Sequence, residues 1–335
     1  MLKERDLFAD FVKGLLILSV VLGHTLQNFK YCGDTLWGDY LVKYLWMFNM
    51  PLFIGVSGYF TFFSLRRKPV KVFLKERFLY LFIPMFIWVM IMGGVGLASS
   101  KAAIPDKLFF MYAMLISSYW FIWAILIGSV IVGVLKVFNL DNKYIVGVVA
   151  LLCMLAPSPL TNAVLAFSKS MMCFFMLGYM LASFDLSKIY QVCKKYLWLI
   201  LVLTAICYYF WEQKYLIYFS PSDIFHLDIS AIRLVACTTT SVSFLIMMRM
   251  FYDYVSKGKV INKITQFGQE TLGIYLVQAV LFFAYYYNHR ISEDLAIPSL
   301  LYLIPVVLMV WGIYIVIKQT EKVPVLSFLL FGKKK

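Results

Sequence analysis

Apolar residues fall in long runs along the whole chain, separated by short polar and basic segments. A run of about 18 or more residues, rising 1.5 Å per residue, is long enough to cross a hydrocarbon core of about 30 Å. Backbone amides in lipid must be satisfied within their own segment, so such runs predict helices. The predicted spans are 7–28, 40–63, 78–98, 119–138, 144–157, 167–184, 196–211, 229–252, 271–288 and 298–317, the fifth and seventh being short. Lys3 and Arg5 before the first run resemble the start of a signal peptide. The run is too long for one and lacks a small-residue cleavage site, so it reads as a retained first helix. No internal repeat or soluble segment interrupts the pattern. The expectation is an all-α, polytopic membrane helix bundle of about ten transmembrane helices, with residues 1–335 forming a single membrane-embedded domain.

Composition strengthens this reading. Of 335 residues, 62% are hydrophobic, 18% aromatic and 14% charged, more apolar surface than one soluble core can bury. The net charge of +14 raises nucleic acid as a partner, but the basic residues cluster between apolar segments and form no continuous soluble face. They act first as topology signals. Arg66, Arg67, Lys68, Lys71, Lys75 and Arg77 share one predicted loop, and Lys257, Lys259 and Lys263 another, whereas the opposite side has only scattered residues such as Lys30, Lys43 and Lys101. That asymmetry predicts both termini in the cytoplasm and an even number of crossings. Trp37, Tyr40, Tyr44, Tyr119, Trp120, Tyr208, Tyr209 and Trp211 fall near span ends, as interface anchors do. The six cysteines lack CxxC spacing and mostly lie in apolar runs, which predicts neither a disulfide framework nor a metal site.

Against this background the ionisable residues inside spans are informative, because each costs about 2.5–3.5 kcal/mol unless it faces protein or water. In the first span, the eleven-residue step from Lys13 to His24 leaves them about 20° apart around a helix and about 16 Å apart along it. Asp10 lies within about 60° of Lys13. One polar stripe results, in which Lys13 can pair with Asp10 or snorkel. His24 has no long stem, and either makes an interhelical hydrogen bond or serves as a base near neutral pH. Asp6 and Asp10 are too far down the helix to orient His24, so its partner comes from another helix. In the second span, Asn49-Met50-Pro51-Leu52-Phe53 and Ser57-Gly58-Tyr59 read as a kinked, closely packed helix. Arg233 is a second deep charge, able to pair with His226 and Asp228 just before it.

Taken in order, Asp10-x-x-Lys13-Gly14, Val21-Leu22-Gly23-His24-Thr25, Phe48-Asn49-Met50-Pro51-Leu52-Phe53 with Ser57-Gly58-Tyr59, Arg77 with Pro84, Trp120-Phe121 and Gly273-Ile274-Tyr275-Leu276 resemble the acyltransferase-3 family of membrane O-acyltransferases. The likeness is to its fucose 4-O-acetylase-like branch and covers nearly the whole chain. It implies an enzyme that moves an acetyl group from cytosolic acetyl-CoA to a hydroxyl of a cell-surface or lipid-linked sugar, in a bacterial plasma membrane. It also implies that His24 is catalytic and that Lys13 stands where many relatives have Arg. Asn49 and Gln278 stand where relatives often have His, which leaves both as hydrogen-bonding rather than acid–base groups. On this reading Lys13, Arg66, Arg67 and Arg77 meet the donor's phosphates. Asp10, Asn49, Ser57, Tyr275 and Gln278 support the site, and the acceptor passes Tyr59, Trp120 or Arg233. The competing class is a glycolipid or sugar flippase, which usually carries inverted repeats and has no reason to bind acetyl-CoA.

Overall fold

The computed structural model describes residues 5–99, 111–112, 115–116, 119–155, 163–212, 227–255, 258–288 and 293–333, and among these it is helical without strands. The first predicted span forms α1 (Leu7–Phe29), started by Asp6, whose carboxylate accepts from the Ala9 amide at 3.0 Å. The chain turns and returns antiparallel as α2 (Tyr40–Arg67), capped by Asp39, which accepts from the Leu41 and Val42 amides at 2.8 and 3.0 Å. Two ends of the bundle are thereby defined. The basic end holds the start of α1 and the Arg66-Arg67-Lys68 run, and the far end holds Lys30 and Asp39.

Short α3 (Val70–Arg77) follows Pro69 and passes through a π turn, Phe78–Phe82, into α4 (Ile83–Ser99). Proline explains the wide turn: Pro84 has no N–H to offer the carbonyl four residues earlier, that of Tyr80. The freed carbonyl is approached by the C-terminal segment, where Gly332 is so close that a Cβ would lie 2.0 Å from it. Gly332 also has φ +61°, a second reason for glycine there.

Helices α5 (Trp120–Val137), α6 (Lys143–Leu155) and α7 (Ala163–Leu181) follow. The Ser57-Gly58 stretch of α2 packs onto α7 as the sequence predicts. A Cβ on Gly58 would lie 2.0 Å from the Phe175 carbonyl and one on Gly178 1.9 Å from that of Gly55, so the two backbones touch. Past α7 the chain bends by 111° into α8 (Leu186–Lys195), then continues as α9 (Leu197–Phe210), α10 (Leu227–Val255), α11 (Lys259–Gln269), α12 (Thr271–Asn288), α13 (Leu303–Thr320) and α14 (Pro324–Phe331). Among the described residues six helical runs are long and apolar enough to cross a membrane, with α7–α8 a bent candidate and α6, α9 and α12 shorter apolar helices. Each of the ten spans read from the sequence falls on one of these elements. The segments left between predicted spans at 99–118 and 212–228, His226 among them, lie largely outside the described residues.

α1 is central, packed against α2, α10, α11, α12 and α13, with Leu16, Ile17, Val21 and Leu26 fully buried. The outer faces of α9 and α13 present Trp198, Val202, Phe210, Ile304, Leu308 and Trp311, an apolar exterior suited to lipid. Two aromatic anchors expected from sequence are not on that exterior. Tyr119 is 0% exposed and donates to the Leu276 carbonyl at 3.1 Å, and Trp211 is buried. Tyr40, at 81% exposure, does stand free at the far end.

Polar clusters lock both ends. At the basic end, buried Glu270 pairs with Lys318 at 2.7 Å and with Lys333, joining α12, α13 and the C-terminal segment. At the far end Asp39 receives Tyr31 and Ser299 and lies 3.4 Å from Lys30. Burial there pushes its pKa up, but the hydrogen bonds from Ser299, Tyr31 and the Val42 and Leu41 amides outweigh it and hold the carboxyl at about 2. A depressed carboxylate contributes stability that is full above its unfolded value and lost as pH falls through the folded one, here a window from about pH 4 to about pH 2 worth about 2 kcal/mol. Thermal unfolding in detergent across that window is expected to show the loss in the wild type and not in Asp39→Asn.

Candidate functional site

The polar stripe of α1 survives folding. Lys13 pairs with Asp10 at 2.6 Å, and Arg5 closes on the other carboxylate oxygen. Asp10 is buried and Lys13 half-buried, its ammonium 5.7 Å from the Phe60 ring centroid. Two cations share one buried acid, so the Arg5–Asp10–Lys13 trio carries one net positive charge.

Further along α1, His24 is half-buried and meets α12. Its Nδ1 lies 3.0 Å from Oε1 of Gln278, and its ring stands edge-on to Phe282, 5.8 Å away at 89°. The partner that sequence reasoning required from another helix but did not identify is therefore Gln278. An amide oxygen only accepts, so Nδ1 carries the proton and the lone pair sits on Nε2. Among the described residues no group of the protein engages Nε2. Asn28 donates to the His24 backbone carbonyl at 2.7 Å, which holds the last turn of α1 in register.

A cavity of about 220 Å³ opens between α1, α2, α3, the π turn that follows α3, α5 and α12. It is lined by the polar groups of Lys13, Ser57, Arg77, Thr271 and Tyr275, with Phe53, Phe60 and Phe121 among its apolar walls. Arg77 reaches it from the last turn of α3, where its guanidinium donates to the Thr61 hydroxyl at 3.0 Å and lies 5.3 Å from the Phe73 ring. Ser57 donates to the Phe53 carbonyl at 3.0 Å, leaving its oxygen lone pairs for a ligand. Thr271 and Tyr275 line the cavity and Gln278 meets His24. Their i, i+4, i+7 spacing puts all three on one face of α12, so a single stripe runs from the cavity to His24.

The remaining predicted residues distribute around this core. Arg66 and Arg67 are exposed at the end of α2, Arg66 covering the Phe62 ring at 4.0 Å, and neither lines the cavity. Tyr59 is half-buried between Phe60 and Phe63. Trp120 is half-buried beside Phe121, and it is Phe121 that reaches the cavity. Asn49 is buried in α2 with its oxygen 2.6 Å from the Met50 amide. Arg233 is buried in α10, away from the cavity lining. Sequence reasoning missed Thr61 and Thr271. Thr61 lies one turn after Ser57, spacing that shares a helix face, and Thr271 opens the Gly273-Ile274-Tyr275 helix.

An acyltransferase domain family matches residues 6–318. A nodulation protein, NolL, of Mesorhizobium japonicum is 31% identical over 291 residues, covering 83% of this chain and 77% of that protein. NolL of Sinorhizobium fredii is 33% identical over 182 residues, 53% of this chain and 49% of that protein. No solved structure matches.

Proposed function

This chain belongs to the acyltransferase-3 family and is a multi-pass membrane acyltransferase, and from that premise we propose that it is an O-acetyltransferase using acetyl-CoA as donor. The acceptor is a hydroxyl of a cell-surface or lipid-linked glycan, and the membrane is the plasma membrane of a bacterium. Both termini lie in the cytoplasm, ten helices cross, and residues 1–335 work as a single membrane-embedded domain without a metal. The observation that carries the reading is the pairing of His24, its Nε2 left free by Gln278, with a cationic cavity further down the same helix.

The charge of the cavity wall suits the phosphates of the donor. Lys13 and Arg77 supply two fixed positive charges at its wall, and Arg77 is already held by Thr61. Arg66 and Arg67, exposed at the same end, raise the local concentration of an anionic donor without contacting it in the cavity. The pantetheine arm then follows the α12 stripe past Tyr275 toward His24. There Nε2 takes the proton of the acceptor hydroxyl as its oxygen attacks the thioester carbonyl. A C–O bond forms, the C–S bond breaks, and the CoA thiolate leaves, recovering a proton from the imidazolium. The acceptor arrives from the far end by way of Trp120 or Arg233, with Asn49 as a further hydrogen-bonding group; Tyr59, beside Phe60 at the level of Lys13, stands on the donor side instead.

Purified protein in detergent is expected to bind acetyl-CoA; a flippase would not. Lys13→Ala is expected to raise KM for acetyl-CoA about tenfold or more with a smaller change in kcat, since it removes a charge-assisted contact worth about 1.5–3 kcal/mol. An unchanged dependence on donor concentration counts against a donor-binding role for Lys13.

A further inference from the structure

Gln278 is 0% exposed in the middle of α12, and its side chain makes one hydrogen bond among the described residues, from its Oε1 to His24 Nδ1. Its Nε2 is buried with no partner among those residues. A buried amide donor left unpaired costs about 1–3 kcal/mol, whereas Leu or Met of similar volume at the same position costs nothing of the kind. Gln278 therefore works against the stability of the bundle. Its one made contact points at the group assigned as the base.

Resting on the reading of His24 as that base, we propose that Gln278 is its positioning residue: the carboxamide oxygen fixes the Nδ1–H tautomer and the ring plane, so that the Nε2 lone pair faces the acceptor hydroxyl. Without an acceptor at Nδ1 the imidazole is free to adopt the other tautomer, in which Nε2 carries the proton and has no lone pair for catalysis. Gln278 does this with a neutral group. A residue of this kind acts on the rate of the chemical step and not on capture of the donor, which the Lys13 and Arg77 cavity performs independently.

The test is a pair of variants of the full chain in detergent, with rates expressed per folded protein by size-exclusion chromatography. Gln278→Met keeps the volume and removes the acceptor. It is expected to lower kcat about ten- to a hundredfold, with KM for acetyl-CoA within about twofold and a thermal midpoint close to that of the wild type, because the unpaired Gln278 Nε2 is removed while the His24 Nδ1–H loses its acceptor. Gln278→Glu keeps an acceptor oxygen at the same reach and is expected to recover most of the lost rate. A Met variant at the wild-type rate, or a Glu variant no faster than Met, overturns the proposal. His24→Ala run in parallel separates the two levels. If it retains full activity the base assignment itself fails, whereas an inactive His24→Ala beside a normal Gln278→Met removes only the role of Gln278.

Discussion

Replacing His24 by Ala is expected to lower acyl transfer by about 10²–10⁴-fold, the usual contribution of a positioned general base. The donor cavity stays intact, because Lys13 and its ion pair with Asp10 lie about 16 Å away along α1. KM for acetyl-CoA therefore holds while kcat falls, the pattern of an interaction made in the transition state. The substitution also strips Gln278 of its one hydrogen bond, so its whole carboxamide is then buried unpaired at a cost of about 1–3 kcal/mol. The double variant His24→Ala/Gln278→Leu removes that penalty and is expected to be as stable as the wild type and still inactive. Recovery of activity in the double variant would show that the single change had acted through folding.

The second large effect is at a helix crossing rather than at a reacting atom. A Cβ on Gly268 of α11 would sit 1.6 Å from the Asp10 carbonyl oxygen and 2.8 Å from the Gly14 amide nitrogen; one on Gly14 would lie 2.0 Å from the Ile264 carbonyl. These neighbours are backbone and cannot swing aside, so Gly268→Ala must part α1 from α11. Overpacking of this kind costs about 1–3 kcal/mol, and more where backbones are in contact. The turn displaced is the one that bears Asp10 and Lys13, so a raised KM for acetyl-CoA is expected with the lowered thermal midpoint. Gly312→Ala in α13 is the control. A Cβ there meets nothing within 4 Å, so the change is expected to stabilise that helix by about 0.5–1 kcal/mol. If the Gly268 and Gly312 variants unfold alike, the α1–α11 contact is not what holds the donor end.

Run length and apolarity made the spanning helices legible, since lipid leaves the backbone no other choice. The same reasoning passed over α3, α8, α11 and α14. They are short or mixed in polarity and lie between spans, where hydropathy records only loops, yet α11 sets the position of the Lys13 turn and α3 delivers Arg77. Within the site, Lys13, Asp10 and His24 were legible because a single helix fixes their relative angle. The His24–Gln278 contact was not, because it joins residues 254 positions apart and depends on how two helices dock. Tyr119 was misread for a related reason. An amphipathic ring at the start of a span fits the interface by sequence, and its burial follows only from the α5–α12 packing that gives its hydroxyl the Leu276 carbonyl.

The most direct test of the account is transfer of labelled acetyl from acetyl-CoA into the glycan fraction of cells with and without this chain, read by mass and by release under mild base. Base-labile, acetyl-sized increments on the glycan are expected that require the chain and are absent with His24→Ala. Identical glycan masses in cells with and without the chain, or increments undiminished by His24→Ala, would contradict that expectation.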